Sequence, residues 1–165
     1  MAGKPVINLA DVPLRDGGNG DVFKAKVGPF AHLIGLKGLG LMLHEVEPGA
    51  KAFPFHSHHQ IDEAFVVLEG EGTLRYGDKR YPIKAGDVVG APTGGPETAH
   101  QILNTGSDTL RYLGVSTMAE TEVSDYPDSG KFAVISRFDW NNPGAGGLRY
   151  VGRKETSLDY FDGES

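Results

Sequence analysis

The sequence predicts an all-β protein built as a barrel or a sandwich. Short apolar runs recur along the chain, and turn residues separate them at intervals of about 8–12 residues, as in many-stranded β domains. The 165 residues include 24 glycines and 10 prolines, which is a turn-rich composition. This length fits one domain with a sizeable hydrophobic core, so we expect residues 1–165 to form a single domain.

Residues 1–38 are interpreted as an N-terminal arm. The glycine-rich stretch 16–21 predicts a turn or a mobile loop. Residues 22–27 alternate between apolar and polar side chains, which indicates an edge strand.

Residues 39–118 are predicted to form the core of the barrel. The dipeptide Pro48-Gly49 ends one strand, and Gly77-Asp78 joins the two strands of a hairpin. Pro54 interrupts another strand, because proline cannot donate to a ladder of hydrogen bonds. The predicted strands of this core are residues 41–47, 51–58, 63–69, 72–76, 79–83, 88–91, 99–103 and 110–117.

The C-terminal extension, residues 119–165, carries fewer signals. Apolar residues predict strands at 132–136 and 150–152. Tyr160 and Phe161 lie in an acidic terminus, and a terminus usually frays unless it is held by contacts. We therefore expect these two rings to pack on the barrel or on a second subunit.

Three ligand-type side chains lie close together in the core sequence. His56 and His58 are two residues apart, so in a strand both imidazoles lie on one face, with Cα atoms roughly 6–7 Å apart. Glu63 opens the next apolar strand after a polar link that would turn the chain back. Two imidazoles and a carboxylate that converge from neighbouring strands are typical ligands of a divalent metal. His100 opens a further apolar strand and could complete the set.

Two stretches resemble the two sequence motifs of the cupin family. The first has a glycine, His56-x-His58, Glu63 and, after six further residues, Gly70; the second has Pro92-Thr93-Gly94 followed by His100 and a later asparagine. The resemblance covers about residues 39–117. Two loops are longer than in the family pattern, since six residues separate Gly49 from His56 and five separate Gly94 from His100.

The resemblance implies a double-stranded β-helix, or jelly-roll, barrel with one divalent metal ion bound by His56, His58, Glu63 and His100. The chain has no cysteine, so nitrogen and oxygen atoms must hold the ion, and Mn²⁺, Fe²⁺, Ni²⁺, Co²⁺ and Zn²⁺ all suit this set. Asp62 is the alternative to Glu63. Because free histidine has a pKa of about 6.5, we expect the three imidazoles to take up protons together and release the metal below about pH 6.

Several other polar residues are candidates for roles at the site. Glu97 could act as a general base, although a solvated loop carboxylate is the alternative interpretation. His44 could line the pocket, since its strand precedes the motif strand. An inward-facing arginine could hold an anionic group, and tyrosines could line the pocket, although outward-facing arginines and core tyrosines are the simpler interpretations. These residues are Arg75, Arg80, Arg111, Tyr76, Tyr81 and Tyr112.

The fold alone leaves several functions open. An open metal position could polarise a carbonyl for isomerisation of a sugar or sugar phosphate, and with iron the same site could serve a dioxygenase. The alternative is a non-catalytic module that binds or senses a small molecule through its metal. The sequence resembles small cupins described as sugar-phosphate-isomerase-like or auxin-binding-like. This resemblance is compatible with an enzyme and with a non-catalytic binding module.

Composition restricts the partners. The net charge of −6 argues against nucleic acid and anionic membranes. No apolar stretch reaches the roughly 20 residues of a membrane span, and residues 1–10 lack the apolar region of a signal peptide, so we expect a cytoplasmic protein. Both faces of the predicted strand at 63–68 are apolar. Its outer face must therefore be covered by another sheet, the arm or a second copy, and we expect a homodimer.

Overall fold

The structure, a computed structural model, describes residues 4–137 and 146–164, so part of the predicted extension lies outside the described residues. Within these ranges no helix is long and apolar enough to span a membrane. The strands are β1 (Arg15–Asn19), β2 (Phe23–Pro29), β3 (Leu39–Val46), β4 (Ser57–His58), β5 (Glu63–Glu69), β6 (Glu71–Tyr76), β7 (Lys79–Lys84), β8 (Val88–Ala91), β9 (His100–Leu103), β10 (Leu110–Thr117), β11 (Thr121–Tyr126), β12 (Lys131–Ser136) and β13 (Leu148–Arg153). Four 3-10 helices cover Leu9–Asp11, Ala31–Ile34, Pro127–Ser129 and Lys154–Thr156.

The strands form three antiparallel sheets. A six-stranded sheet has the order β1-β2-β3-β10-β5-β8, a four-stranded sheet the order β13-β12-β11-β4, and a three-stranded sheet the order β7-β6-β9. One buried apolar cluster contains residues from both the six-stranded and the three-stranded sheet, including Val67 of β5 and Leu74 of β6. These two sheets therefore enclose a common core, and the prediction of an all-β barrel is confirmed.

The turn between β5 and β6 depends on a motif glycine. Gly70 has φ of +80°, in the left-handed region that residues with a side chain rarely adopt. A Cβ atom at this position would also lie 2.7 Å from the carbonyl oxygen of Thr109. Both restrictions require glycine at this turn.

The N-terminal arm covers the outer face of the six-stranded sheet. Val12 and Phe30 of the arm form a second buried cluster with Leu43 of β3, and Leu68 of β5 packs against the same cluster. The apolar outer side of β5 is thus covered within one chain at Leu68. A homodimer stays a prediction.

Three local expectations are wrong. The glycine-rich stretch predicted as a turn is largely strand β1, which pairs with β2 as a hairpin, because glycine can still supply backbone donors and acceptors. The strand predicted at 51–58 is reduced to β4, with isolated bridges at Lys51 and His56, because Pro54 interrupts the ladder. The strand predicted as an edge at 22–27 is not an edge, because β2 pairs with both β1 and β3. In addition, strand β11 was not predicted, and it pairs with β4.

The second buried cluster predicts a large difference between two leucines of β3. Leu43 is fully buried, whereas Leu39 is 42% exposed. We expect Leu43→Ala to lower the free energy of unfolding by about 2–5 kcal/mol, because it leaves a cavity between the arm and the sheet. Leu39→Ala is the matched control, with an expected loss below about 1 kcal/mol. Urea denaturation measures both, and equal losses would show that the arm does not pack on β3.

Candidate metal centre

Four short pieces of the barrel bring the predicted ligands together. His58 lies at the end of β4, Glu63 opens β5 and His100 opens β9. His56 precedes β4 and forms an isolated bridge with His100, in which the two backbones exchange hydrogen bonds of 2.8 and 3.2 Å. The bridge fixes these two histidines side by side, although β4 itself contains only two residues.

The four side chains meet at one oxygen of Glu63. Its Oε2 atom lies 3.0 Å from His100 Nε2, 3.3 Å from His58 Nε2 and 4.0 Å from His56 Nε2. Ligand atoms that each lie about 2.0–2.2 Å from one ion are roughly 3–4.4 Å apart. One ligand atom from each of the four residues lies within 4.8 Å of all the others, so the group could hold a metal ion.

Each histidine is also held through its other ring nitrogen. Nδ1 of His56 lies 2.8 Å from the carbonyl oxygen of Pro54, and Nδ1 of His100 lies 3.3 Å from that of Thr98. These contacts favour a proton on Nδ1 and leave Nε2 directed at the centre. Nε2 of His58 is buried and lies 3.3 Å from Glu63 Oε2, so it is directed at the centre as well.

Glu122 of β11 is a functional candidate that the sequence analysis missed. Its Oε1 atom lies 3.3 Å from His58 Nδ1 and accepts a 2.9 Å hydrogen bond from the His59 backbone, while Oε2 accepts one of 3.0 Å from the Gln60 backbone. The side chain is only 5% exposed. Buried carboxylates that orient a metal-ligating histidine are a common outer-shell feature. The polar alternation of Glu122 and Ser124 in an otherwise strand-like stretch was the available signal.

The electrostatics of the group are dominated by burial and the two carboxylates. Burial would lower the pKa of His58, but hydrogen bonds and charge from Glu122 and Glu63 raise it to about 9. Burial lowers the pKa of His56 to about 4, and the nearby His100 and His58 act in the same direction. Burial would raise the pKa of Glu63, but its hydrogen bonds with His100 and His58 hold it well below its usual range. The pKa values of His56 and His58 are thus moved in opposite directions, and joint proton uptake with metal release below about pH 6 stays a prediction.

A small cavity adjoins the ligand group and has mainly apolar walls. It has a volume of about 20 Å³, and the lining residues are Phe53, Pro54, His56, Phe65, His100, Gln101, Ile102 and Tyr112. Burial raises the pKa of Tyr112, so its hydroxyl stays protonated. A larger cavity of about 390 Å³ lies elsewhere, between the first three strands, and contains none of the ligand residues.

His44 lies inside the barrel behind the cavity wall. Its ring stacks on that of Tyr112 with the centroids 4.4 Å apart, and burial lowers its pKa to about 4. Its Nδ1 atom is buried without a hydrogen-bond partner among the described residues. His44 is thus a neutral ring that supports the pocket from behind.

The remaining candidates point away from the group. Asp62 Oδ1 accepts a hydrogen bond from the Thr93 backbone, so Glu63 is the carboxylate at the centre. Glu97 is exposed and accepts a hydrogen bond from the Gly95 backbone, which lowers its pKa. This contact ties Glu97 to its own loop, and its role as a general base stays a prediction without support from the geometry.

Two of the three candidate arginines, Arg75 and Arg111, pair with carboxylates away from the ligand group. Both terminal nitrogens of Arg75 donate to Asp128, and its guanidinium lies 3.6 Å from the centre of the Phe55 ring. Arg111 forms ion pairs with Glu45 and Glu69. Neither residue lines the cavity beside the ligands.

Comparison with known proteins now identifies the family. A family model described as the cupin domain matches residues 42–116. Residues 42–116 therefore form a cupin domain. A solved structure from Silicibacter pomeroyi, named a sugar phosphate isomerase from a cupin superfamily, superposes with a TM-score of 0.78 at 26% identity. The match covers 96% of this chain and 98% of that one, so the predicted double-stranded β-helix is confirmed.

Two curated relatives are similar over shorter stretches. Auxin-binding protein 1 of Arabidopsis thaliana is 29% identical over 137 residues, which cover 76% of this chain and 66% of the relative. The oxalate-binding protein of Thermotoga maritima is 37% identical over 68 residues, or 41% of this chain and 54% of the relative. The cupin chain described here therefore spans less than two thirds of the length of either relative.

The ligand geometry predicts unequal effects for two adjacent histidines. We expect His58→Ala to lower the affinity for divalent metal by at least about 100-fold, because it removes one ligand nitrogen from the centre. His59→Ala is the matched control, since the His59 ring is paired with Asp125 at 2.7 Å and lies outside the ligand group. Elemental analysis after dialysis measures both, and equal metal contents would contradict the assignment.

The raised pKa of His58 predicts that metal uptake releases a proton. With a pKa of about 9, His58 holds a second proton at pH 7, and a metal ion at Nε2 must displace it. The affinity for the metal should then rise by up to about tenfold per pH unit from pH 7 towards 9, because fewer protein molecules hold the competing proton on His58.

Glu122→Gln tests the cause of this shift. The neutral amide lowers the pKa of His58, so we expect metal binding at pH 7 to release fewer than one proton. At pH 9 we expect the variant to bind metal about 10–100-fold more weakly than the wild type. Titration calorimetry in two buffers with different ionisation enthalpies counts the protons. The same proton count in both proteins would show that Glu122 does not raise the pKa of His58.

Proposed function

We propose that this cupin binds one divalent metal ion through His56, His58, Glu63 and His100 and uses it to hold a small anionic molecule. The convergence of three Nε2 atoms on Glu63 Oε2 is the observation that carries this proposal. Four protein ligands leave one or two positions on a five- or six-coordinate ion. A bound ion supplies a Lewis acid that grips and polarises an oxygen of the ligand.

The cavity walls favour a carboxylate with a compact apolar body over a phosphate ester. Phe53, Phe65 and Tyr112 present aromatic surface beside the ligands, and Gln101 is held by the Phe53 carbonyl. Among the lining residues of the described chain there is no lysine or arginine to pair with a phosphate. The names of the relatives from A. thaliana and T. maritima, which mention auxin and oxalate, agree with a carboxylate.

Ligand entry requires movement of the wall. A volume of about 20 Å³ holds about one water molecule, so even a small acid needs more room. Phe53 is part of the wall and is also partly exposed, which makes it the side chain best placed to move. The rings of Phe53 and His44 meet edge to face, with centroids 5.6 Å apart. This contact holds the Phe53 ring in place while the cavity is closed.

A second candidate function is sugar phosphate isomerisation. It is favoured by the similarity to the S. pomeroyi structure over nearly the whole of both chains. The protonated hydroxyl of Tyr112 could donate a proton or a hydrogen bond to a substrate oxygen in the cavity. Apart from the candidate metal ligands, the described residues that line the cavity include no second proton-transfer group, since the ring of His44 has a pKa of about 4 and lies behind Tyr112.

Ligand binding to the metal-loaded protein distinguishes the two functions. We expect small aromatic or aliphatic carboxylates to raise the melting temperature only when metal is present, and His100→Ala to abolish the shift. Proton NMR of hexose and pentose phosphates with the same metal-loaded protein tests isomerisation. Turnover of a sugar phosphate without any carboxylate effect would replace the first function by the second. The cytoplasmic location and the absence of a nucleic-acid partner stay predictions from composition.

A further inference from the structure

The C-terminal residues of the chain leave a large apolar surface in solvent. Tyr160 and Phe161 pack against each other with ring centroids 4.9 Å apart, but they are 87% and 71% exposed. Leu158 is exposed as well. The sequence analysis left two places for these rings, the barrel of the same chain or a second subunit. Their exposure leaves the second.

Strand β13, immediately before this tail, has an open edge. It pairs with β12 on one side, and no described strand pairs with its other side. Leu148, Tyr150 and Val151 of this strand are exposed. An edge strand with unpaired backbone groups and exposed apolar side chains is a template for another chain unless charge or proline blocks it.

The charges of the two segments are opposite. Arg153 and Lys154 are exposed at the end of β13 and form no ion pair with any other described residue. The tail carries the carboxylates of Asp159, Asp162 and Glu164, which are also exposed. A basic, apolar edge and an acidic, apolar tail are complementary surfaces, whereas two β13 edges facing each other would place like charges together.

We propose that two copies of this chain form a dimer by reciprocal exchange of their C-terminal tails. Residues 157–164 of each copy lie along the open edge of β13 of the other, with Tyr160 and Phe161 covering the exposed apolar side chains. A two-fold axis allows the same contact to form twice. The four-stranded sheet that ends at β13 begins at β4, so the interface belongs to the sheet that carries His58.

This proposal is independent of the proposed metal and ligand chemistry. It also differs from the dimer expected from the sequence, which placed the interface on β5. The arm covers part of that face, at Leu68. The tail and β13 form a different exposed surface.

Sedimentation velocity of the full chain at micromolar concentration is the first test. We expect a species of twice 17.6 kDa for the wild type. The double substitution Tyr160→Ser with Phe161→Ser should give the monomer, because it removes the apolar part of the contact. Val88→Ser is the matched control, since Val88 is equally exposed on β8, the edge of the other large sheet. A cooperative thermal unfolding transition, followed by circular dichroism, shows that the barrel of each variant is folded.

Charge reversal identifies which segments meet. Arg153→Glu with Lys154→Glu, or Asp159→Lys with Asp162→Lys, should each raise the dimer dissociation constant by about tenfold or more. All four changes together should restore dimerisation, because the complementarity is inverted but kept. A monomeric wild type would overturn the proposal. A dimer that survives the tail substitutions, or one that dissociates with Val88→Ser, would also overturn it.

Discussion

The carboxylate of Glu63 is the point on which the ligand group depends. Its Oε2 atom lies within 4.0 Å of all three ligand imidazoles. The Glu63 side chain is largely buried at the first position of strand β5. A buried carboxylate is costly unless cations or hydrogen bonds compensate for it. In the metal-free chain His100 and His58 supply this compensation, and a metal ion would take over the same role. The pocket is therefore arranged around a negative charge that requires a positive partner.

The second carboxylate, Glu122, explains why the C-terminal extension belongs to the site. Strand β4 contains only two residues and cannot position His58 by its own ladder. Strand β11 pairs with it, and Glu122 binds His58, His59 and Gln60 at once. The ligand strand is thus held by residues that follow the family motifs. A barrel truncated after β10 would keep all four ligands but lose the support of one of them.

The two ends of the chain have different relations to the barrel. The N-terminal arm packs its apolar residues on β3 and β5 and completes the core. The C-terminal tail instead leaves its aromatic residues in solvent next to an open strand edge. The N-terminal arm removes its apolar surface from water within one chain, and we propose that the C-terminal tail does so against a second copy.

The sequence by itself determined the all-β class and most core strands, because these depend on local alternation. Through the resemblance to the cupin motifs it also predicted the four residues that converge at the candidate metal centre. It could not determine which element covers β5, since several apolar segments fit equally well. Nor could the sequence predict that Glu122 contacts His58, because the two residues are 64 positions apart and meet only through the pairing of β4 with β11. The pKa of about 9 at His58 follows from that pairing as well. Burial and long-range carboxylate contacts set these properties, and both exist only once the sheets have formed.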